Sequence, residues 1–395
     1  MSYIENRTVH DADSHVMETP GWLDPFATAA VVGKLRQRFP ANAARQAAVQ
    51  KLLARHDDPD YRANDAAEIM LRKNHAATGS FRREDRPRAL DLIGVASQLV
   101  FPTTSNVWLE QLEHEDDLDL VYGTASATNR AQVDFCGVDA RLLAVGYVPL
   151  ADLERAPVAA REALQLGCKA LLVPWACPRR HATSHIALDA VWAQAQEAGA
   201  PILLHVGAAD FVLPKAHSLN GLPEVPDFHG GDENFRSVSY MAIPAGPQQA
   251  LSALILDGVL DRFPALKFGV IELGAVWLPG FMRQLEAAFE AFARHESRLR
   301  QLALRPAQYV TRQVRVTPYP TEPAGWIIEQ AGREVCMFST DFPHVEGGRN
   351  PLGRFESTTA DLDDDANDRF FRRNFEDLMG RGMAGVPTVR RGDVS

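Results

Sequence analysis

The sequence predicts a (β/α)8 barrel, and three observations predict it. Short apolar runs alternate with longer amphipathic segments along most of the chain. Eight such runs can be picked out, and most are followed by a helical pattern. Several, such as Ile-Leu-Leu-His-Val, are apolar nearly throughout, as expected of parallel strands covered by helices on both faces. A length of 395 residues would suit about two ordinary domains, but a barrel with an insertion reaches that size as one. The expectation is therefore a single barrel domain over 1–395. A doubly wound open sheet is the alternative, but no Gly-x-Gly-x-x-Gly follows the first strand.

The first strand ends in Asp11-Ala-Asp-Ser-His15. A polar, Ala- and Arg-rich stretch over 19–88 follows, with helical patterns at 41–55 and 66–74. It reads as a helical insertion that covers the barrel mouth or builds an oligomer interface. Strands are then expected at 95–101, 142–148, 169–173, 201–206, 266–271, 313–317 and 335–339. Helices are expected at 116–136, 153–166, 188–198, 247–261, 278–300 and 365–379. The run Asp-Leu-Asp-Asp-Asp-Ala-Asn-Asp at 361–368 reads as the cap of the last helix. The connection over 208–241 is too long for a simple turn and reads as an active-site lid.

Composition narrows the function. Apolar residues make up 46% and charged residues 23%, ordinary values for a folded enzyme. With 41 Lys and Arg against 51 Asp and Glu, the net charge of −10 argues against nucleic-acid and anionic-membrane partners. No apolar run is long enough for a membrane span, and the N-terminus lacks an apolar signal core. Cys136, Cys168, Cys177 and Cys336 are scattered, as in a reduced, cytoplasmic protein.

Function in such a barrel collects at the C-terminal ends of the strands. Strand one ends in Asp13 and His15, whose i, i+2 spacing puts them on one face, with Glu18 just beyond. Strand five ends in His205, strand six in Glu272, and strand eight in Asp341, with His344 close behind. Any one of these has an ordinary structural reading as a turn, a cap or a hydrogen-bonded core residue. Together they predict a metal site with Asp13, His15, Glu18, His205, Glu272, Asp341 and His344 as candidate ligands. Glu18 can instead orient a ligand, and His344 can bind substrate. Lys169 stands near the start of strand four, at the far end from this site.

The segments DADSHVMET, PILLHVG, GVLDRFPALKFGVIELGAVWLP, FSTDFPHVEG and FFRRNFEDLMG occur in this order. Together they resemble the amidohydrolase-related family that includes aminocarboxymuconate-semialdehyde decarboxylase. The resemblance runs from Asp11 to Gly380, apart from the insertion. It implies a metal-bearing barrel, a homodimer, a first-strand ligand pair at Asp13 and His15, and further ligands at His205 and Asp341. The chain departs from the decarboxylases at Glu272, where they carry a histidine that acts on substrate. It departs again at its first ligand, which is Asp where His or Glu is usual.

A shell of four carboxylates and three imidazoles, without thiolate, suits two iron ions or an iron–manganese pair. The carboxylate-rich pattern also resembles the family's dinuclear non-haem iron monooxygenases. The leading expectation is thus a monooxygenase hydroxylating an unactivated carbon of a mostly apolar metabolite, using O2 and a partner reductase. Glu272, Asp341 and His205 would be its catalytic residues. The alternative is a mononuclear zinc or manganese hydrolase or decarboxylase acting on a small carboxylic acid. Trp22, Trp175, Phe211, His229, Arg236, Tyr240 and Trp277 are the expected substrate-binding residues. Their side chains follow strand ends or lie in the long loop.

Overall fold

The computed structural model describes residues 2–207, 213–223 and 237–387. Seven parallel strands form one sheet in the order β1 to β7. They are β1 (His10–Val16), β2 (Ser97–Pro102), β3 (Leu142–Tyr147), β4 (Ala170–Leu172), β5 (Ile202–His205), β6 (Phe268–Ile271) and β7 (Val314–Val316). Every residue of every strand is buried, which accounts for the continuous apolar runs.

The expected eighth strand is present as an extended segment that closes the circle. On one side it bridges β7 through Val316 and Cys336, with Met337 N–H donating to Val316 O at 2.9 Å. On the other it bridges β1 through Ser14 and Phe342, with His15 N–H donating to Phe342 O at 2.7 Å. Sequence-adjacent strands pair all the way round, so the architecture is the (β/α)8 barrel.

Three expected helices are divided, and the one over 247–261 is formed by Ala245–Leu256 and Val259–Arg262. The one over 278–300 stops at Leu278–Phe292 and resumes at Ser297–Gln301. Arg300 turns back between them and donates to the carbonyls of Ala293 and Arg294, both at 2.8 Å, which satisfies helix-end acceptors. The last helix contains a five-residue π-helical turn, Arg369–Arg373, between Asp364–Asp368 and Asn374–Met379. Asp363 caps its start by accepting from Ala366 N–H at 2.8 Å, as the acidic run predicts.

The segment 19–88 holds helices Ala29–Arg38, Ala43–Arg55, Pro59–Ala63 and Asp65–Glu68, and the start of Arg86–Ile93. The helical pattern expected at 66–74 is thus reduced to one short helix. This segment reaches the carboxyl ends of the strands. Met17 N–H donates to Ser80 O at 2.7 Å, and Asn74 N–H donates to Pro343 O at 2.9 Å.

Candidate metal centre

Strand β1 carries Asp13 and His15 into the barrel axis, next to a shift of register between Asp11 and Ser14. His15 Nε2 lies 3.3 Å from Asp13 Oδ1, 3.7 Å from Asp341 Oδ1 and 3.9 Å from Glu272 Oε2. His205, the last residue of β5, places Nε2 3.4 Å from both Asp13 Oδ1 and Glu272 Oε2. His344 Nδ1 lies 3.0 Å from Asp341 Oδ1. Two overlapping groups of donors result, and within each the atoms lie within 4.8 Å of one another. One is Asp13, His15, His205 and Glu272, and the other is His15, Glu272, Asp341 and His344.

Two of the three imidazoles are oriented from behind by carbonyls. His15 Nδ1 lies 3.3 Å from Pro102 O, and His205 Nδ1 lies 3.0 Å from Val206 O. A proton on each Nδ1 leaves the Nε2 lone pair facing the axis. Burial, together with His344 and His205, pushes the His15 pKa well below its ordinary value, so the ring is held neutral. His15 Nε2 and Asp341 Oδ2 are buried without a hydrogen bond, and Asp341 Oδ1 faces His344 Nδ1 at 3.0 Å. Three buried carboxylates, Asp13, Glu272 and Asp341, belong to these two overlapping groups. Such a set requires a positive charge or bound protons. Buried oxygen and imidazole donors that converge in this way fit a divalent cation.

Two of these carboxylates sit in an unusual backbone conformation. Glu272 has φ 54° and Asp341 has φ 52°, in the left-handed region that side chains other than glycine rarely adopt. Glu272 is fixed by its neighbours on both sides. Its N–H donates to Thr317 Oγ1 at 2.9 Å, and its carbonyl accepts from Tyr319 Oη at 2.7 Å. The turn that follows is held by Glu322, whose carboxylate accepts from Ala275 and Tyr319 N–H at 2.9 Å and from Val276 N–H at 3.1 Å. Gly274, at φ 66°, lies against this carboxylate where a Cβ would collide with it. Asp341 N–H donates to Asp13 O at 2.9 Å, and His344 N–H donates back to Asp341 O at 2.7 Å. Burial raises the Asp341 pKa while His344 opposes it. Burial depresses His344, but the adjoining Asp341 outweighs it and lifts the pKa to about 9.

Glu18 does not join the cluster. Its carboxylate accepts from the N–H groups of Thr103 at 3.2 Å, Thr104 at 2.7 Å and Ser105 at 3.0 Å. It therefore caps the helix Thr104–Leu112, where a negative charge is favourable. Thr103 next to it donates to Val16 O at 2.9 Å and lies 3.1 Å from His344 Nε2.

The expected aromatic lining is only partly realised. Trp277 donates its ring N–H to Gly274 O at 2.9 Å and packs on Phe281, as a core residue. Trp175 is buried against Gly246. Neither lines the metal-facing cavity. Tyr240 is 39% exposed and packs on Tyr319, and Trp22 lines a neighbouring groove. Phe211, His229 and Arg236 lie outside the described residues. The cavity itself has a volume of about 210 Å³, with His15, His205, Glu272 and His344 at its floor and Arg45 and Trp108 in its wall.

Sequence reading missed the residues that hold the ligands. Asp11 is fully buried and accepts from Thr340 Oγ1 at 2.6 Å, Thr340 N–H at 2.8 Å and Gln98 Nε2 at 2.9 Å. It ties β1 to the segment that carries Asp341. Arg86, also fully buried, donates to His15 O at 2.9 Å and to Ser14 Oγ at 2.8 Å. Asp11 repeats the i, i+2 spacing of Asp13 and His15, which was the one available signal.

The comparisons agree with this geometry. A family model described as Amidohydrolase matches residues 12–381. No protein with a curated description matches the chain. Among solved structures, an amidohydrolase from Mycobacterium avium subsp. paratuberculosis K-10 is 20% identical with a TM-score of 0.73, over 95% of this chain and 100% of that one. The 5-carboxyvanillate decarboxylase of Novosphingobium aromaticivorans DSM 12444, complexed with manganese and 4-hydroxy-3-methoxy-5-nitrobenzoic acid, is 18% identical with a TM-score of 0.63. That match covers 95% of this chain and 96% of the other. A dihydroxybenzoic acid decarboxylase from Polaromonas sp. JS666, with bound manganese, is 16% identical with a TM-score of 0.61, over 95% and 98%. A match over nearly the whole barrel, around strand ends that converge as described, places the chain in the amidohydrolase family.

Proposed function

We propose that the protein is a metal-dependent decarboxylase of an aromatic carboxylic acid, working with one divalent ion, manganese by preference. The observation that carries this reading is the convergence of Asp13, His15, His205 and Glu272 on one buried point, with the Asp341–His344 pair at its edge. The manganese-bound decarboxylases of aromatic acids among the similar structures support it. Asp13, His15, His205 and Glu272 would hold the ion. When bound, the ion supplies positive charge that fixes the substrate's acid group and offsets the three carboxylates.

The remaining chemistry belongs to the chain. The cavity, at about 210 Å³, has room for a single ring. The bond between the ring carbon and the carboxyl carbon breaks, and its electron pair stays on the ring. The proton held between Asp341 Oδ1 and His344 Nδ1 passes to that carbon, and carbon dioxide leaves. Thr103 holds His344 in place through Nε2, and solvent returns the proton by way of His344.

The test is release of carbon dioxide from a panel of hydroxybenzoates by manganese-loaded protein. Release that requires manganese and is lost in Asp341→Asn is expected. No release from any member, with manganese bound, would contradict the reading.

The dinuclear iron monooxygenase expected first has one observation in its favour. His15, Glu272, Asp341 and His344 form a second group of donors, which shares His15 and Glu272 with the first. Two irons per chain and consumption of O2 with a reductant would favour it over decarboxylation.

A further inference from the structure

The metal-facing cavity, at about 210 Å³, is smaller than the ~300–1,000 Å³ of ordinary ligand pockets. A groove of about 700 Å³ opens beside it, built largely by the segment after β1. The two spaces share Arg45, Thr104 and Trp108 in their walls, so they adjoin. Trp108 stacks on Phe39 with ring centroids 5.2 Å apart and planes 10° from parallel. Phe39 belongs to the groove alone, so one aromatic wall runs from the cavity into the groove. Trp22, Leu35 and Val49 continue the apolar lining. At the groove's rim the charges of Arg36 and Asp24 are paired at 2.5 Å.

We infer that the groove is a subsite for the far half of the substrate, and that the substrate is an aromatic acid carrying a second ring. This rests on the decarboxylase reading for the acid-bearing half. The acid-bearing ring occupies the metal-facing cavity, and the second, uncharged ring lies against Phe39, Trp108 and Trp22. A neutral ring is favoured because the stacked aromatics reward flat apolar surface, and Arg36 already has its counter-charge.

The test uses the full chain loaded with manganese, titrated calorimetrically with salicylate and with its 3-, 4- and 5-phenyl derivatives. At least one derivative is expected to bind about tenfold or more tightly than salicylate. Val49→Trp and Gln46→Trp, both of which fill the groove away from the metal ligands, should each remove that gain while leaving salicylate affinity within about twofold. Retained salicylate binding also shows that these variants fold. The inference is overturned if no phenyl derivative binds more tightly, or if the gain survives both fillings. Salicylate binding that does not depend on manganese sinks the acid reading and leaves the ratio to report on the groove. Failure of all four acids to bind overturns both.

Discussion

The two halves of the metal centre are built differently. Asp13, His15 and His205 belong to strands β1 and β5, where the parallel pairing of His15, His205 and the residues flanking the Asp11–Ser14 register shift places the backbone and the side chains need only point inward. Glu272 and Asp341 lie just past their strand ends, in the left-handed conformation, each costing roughly 1–2 kcal/mol for a residue with a Cβ. The surrounding loops hold them there through Thr317, Tyr319 and Glu322 on one side and Asp13 O and the His344 backbone on the other. The strand-borne half is therefore robust and the loop-borne half is under strain. Strain held by surrounding contacts is characteristic of sites where geometry serves chemistry.

The largest expected effect breaks the loop-borne half at its proton carrier. Asp341→Asn should lower carbon dioxide release by about 10²–10⁴-fold while manganese content stays near that of the wild type. Metal analysis alongside the rate checks both parts. Loss of metal in this variant would move Asp341 into the set of ligands.

Glu322→Ala comes next. It leaves three backbone N–H groups without their acceptor and lets the Glu272 turn relax. Manganese affinity should fall by about 10–100-fold, as when a group supporting a metal ligand is removed. Stability should fall by about 2 kcal/mol. Unchanged affinity, despite lower stability, would show that the turn does not position Glu272.

Glu272→Gly tests the strain itself. Glycine accepts the left-handed backbone and removes one of three crowded carboxylates. The metal-free variant should be more stable than metal-free wild type by about 0.5–1 kcal/mol, although it binds manganese poorly. His205→Gly, within a strand, should instead lose stability. Denaturant melts of the chelator-treated proteins decide between these signs.

The smallest effect on activity is expected away from both halves, at Glu113. This carboxyl is buried beside the Leu150 N–H, and burial lifts its pKa from 4.5 to about 8. A carboxyl raised in the folded state binds its proton more tightly there than in the unfolded chain. Its contribution is thus most favourable at low pH and is lost as the pH rises from its unfolded value through about 8. Glu113→Gln should flatten the fall of stability between pH 5 and 8 and leave manganese affinity unchanged. A melt series across that range checks it.

The same contrast governs how much of the site was legible in the sequence. Asp13 and His15 follow from strand periodicity, and His205, Glu272 and Asp341 follow from being the polar residues that end apolar runs. The barrel followed from the regular alternation, including an eighth segment that closes it with only isolated bridges. Glu18 has the right chemistry and a near-ligand position, but its carboxylate is taken by a helix start about 85 residues further on. No local pattern signals that pairing. Trp175 and Trp277 follow strand ends like pocket residues, yet their rings are absorbed by packing and a bond three residues away. Asp11, Arg86 and Glu322 were missed because their partners are backbone groups or side chains far away in the chain, and the sequence marks neither.

The central claim is one divalent ion held by the four convergent side chains for decarboxylation. It is tested most directly by metal analysis of protein expressed with iron, manganese and zinc all available, paired with oxygen uptake. The account predicts about one ion per chain, manganese by preference, and no oxygen consumed as an aromatic acid loses carbon dioxide. Two irons per chain, with oxygen consumed in the presence of a reductant, would contradict it.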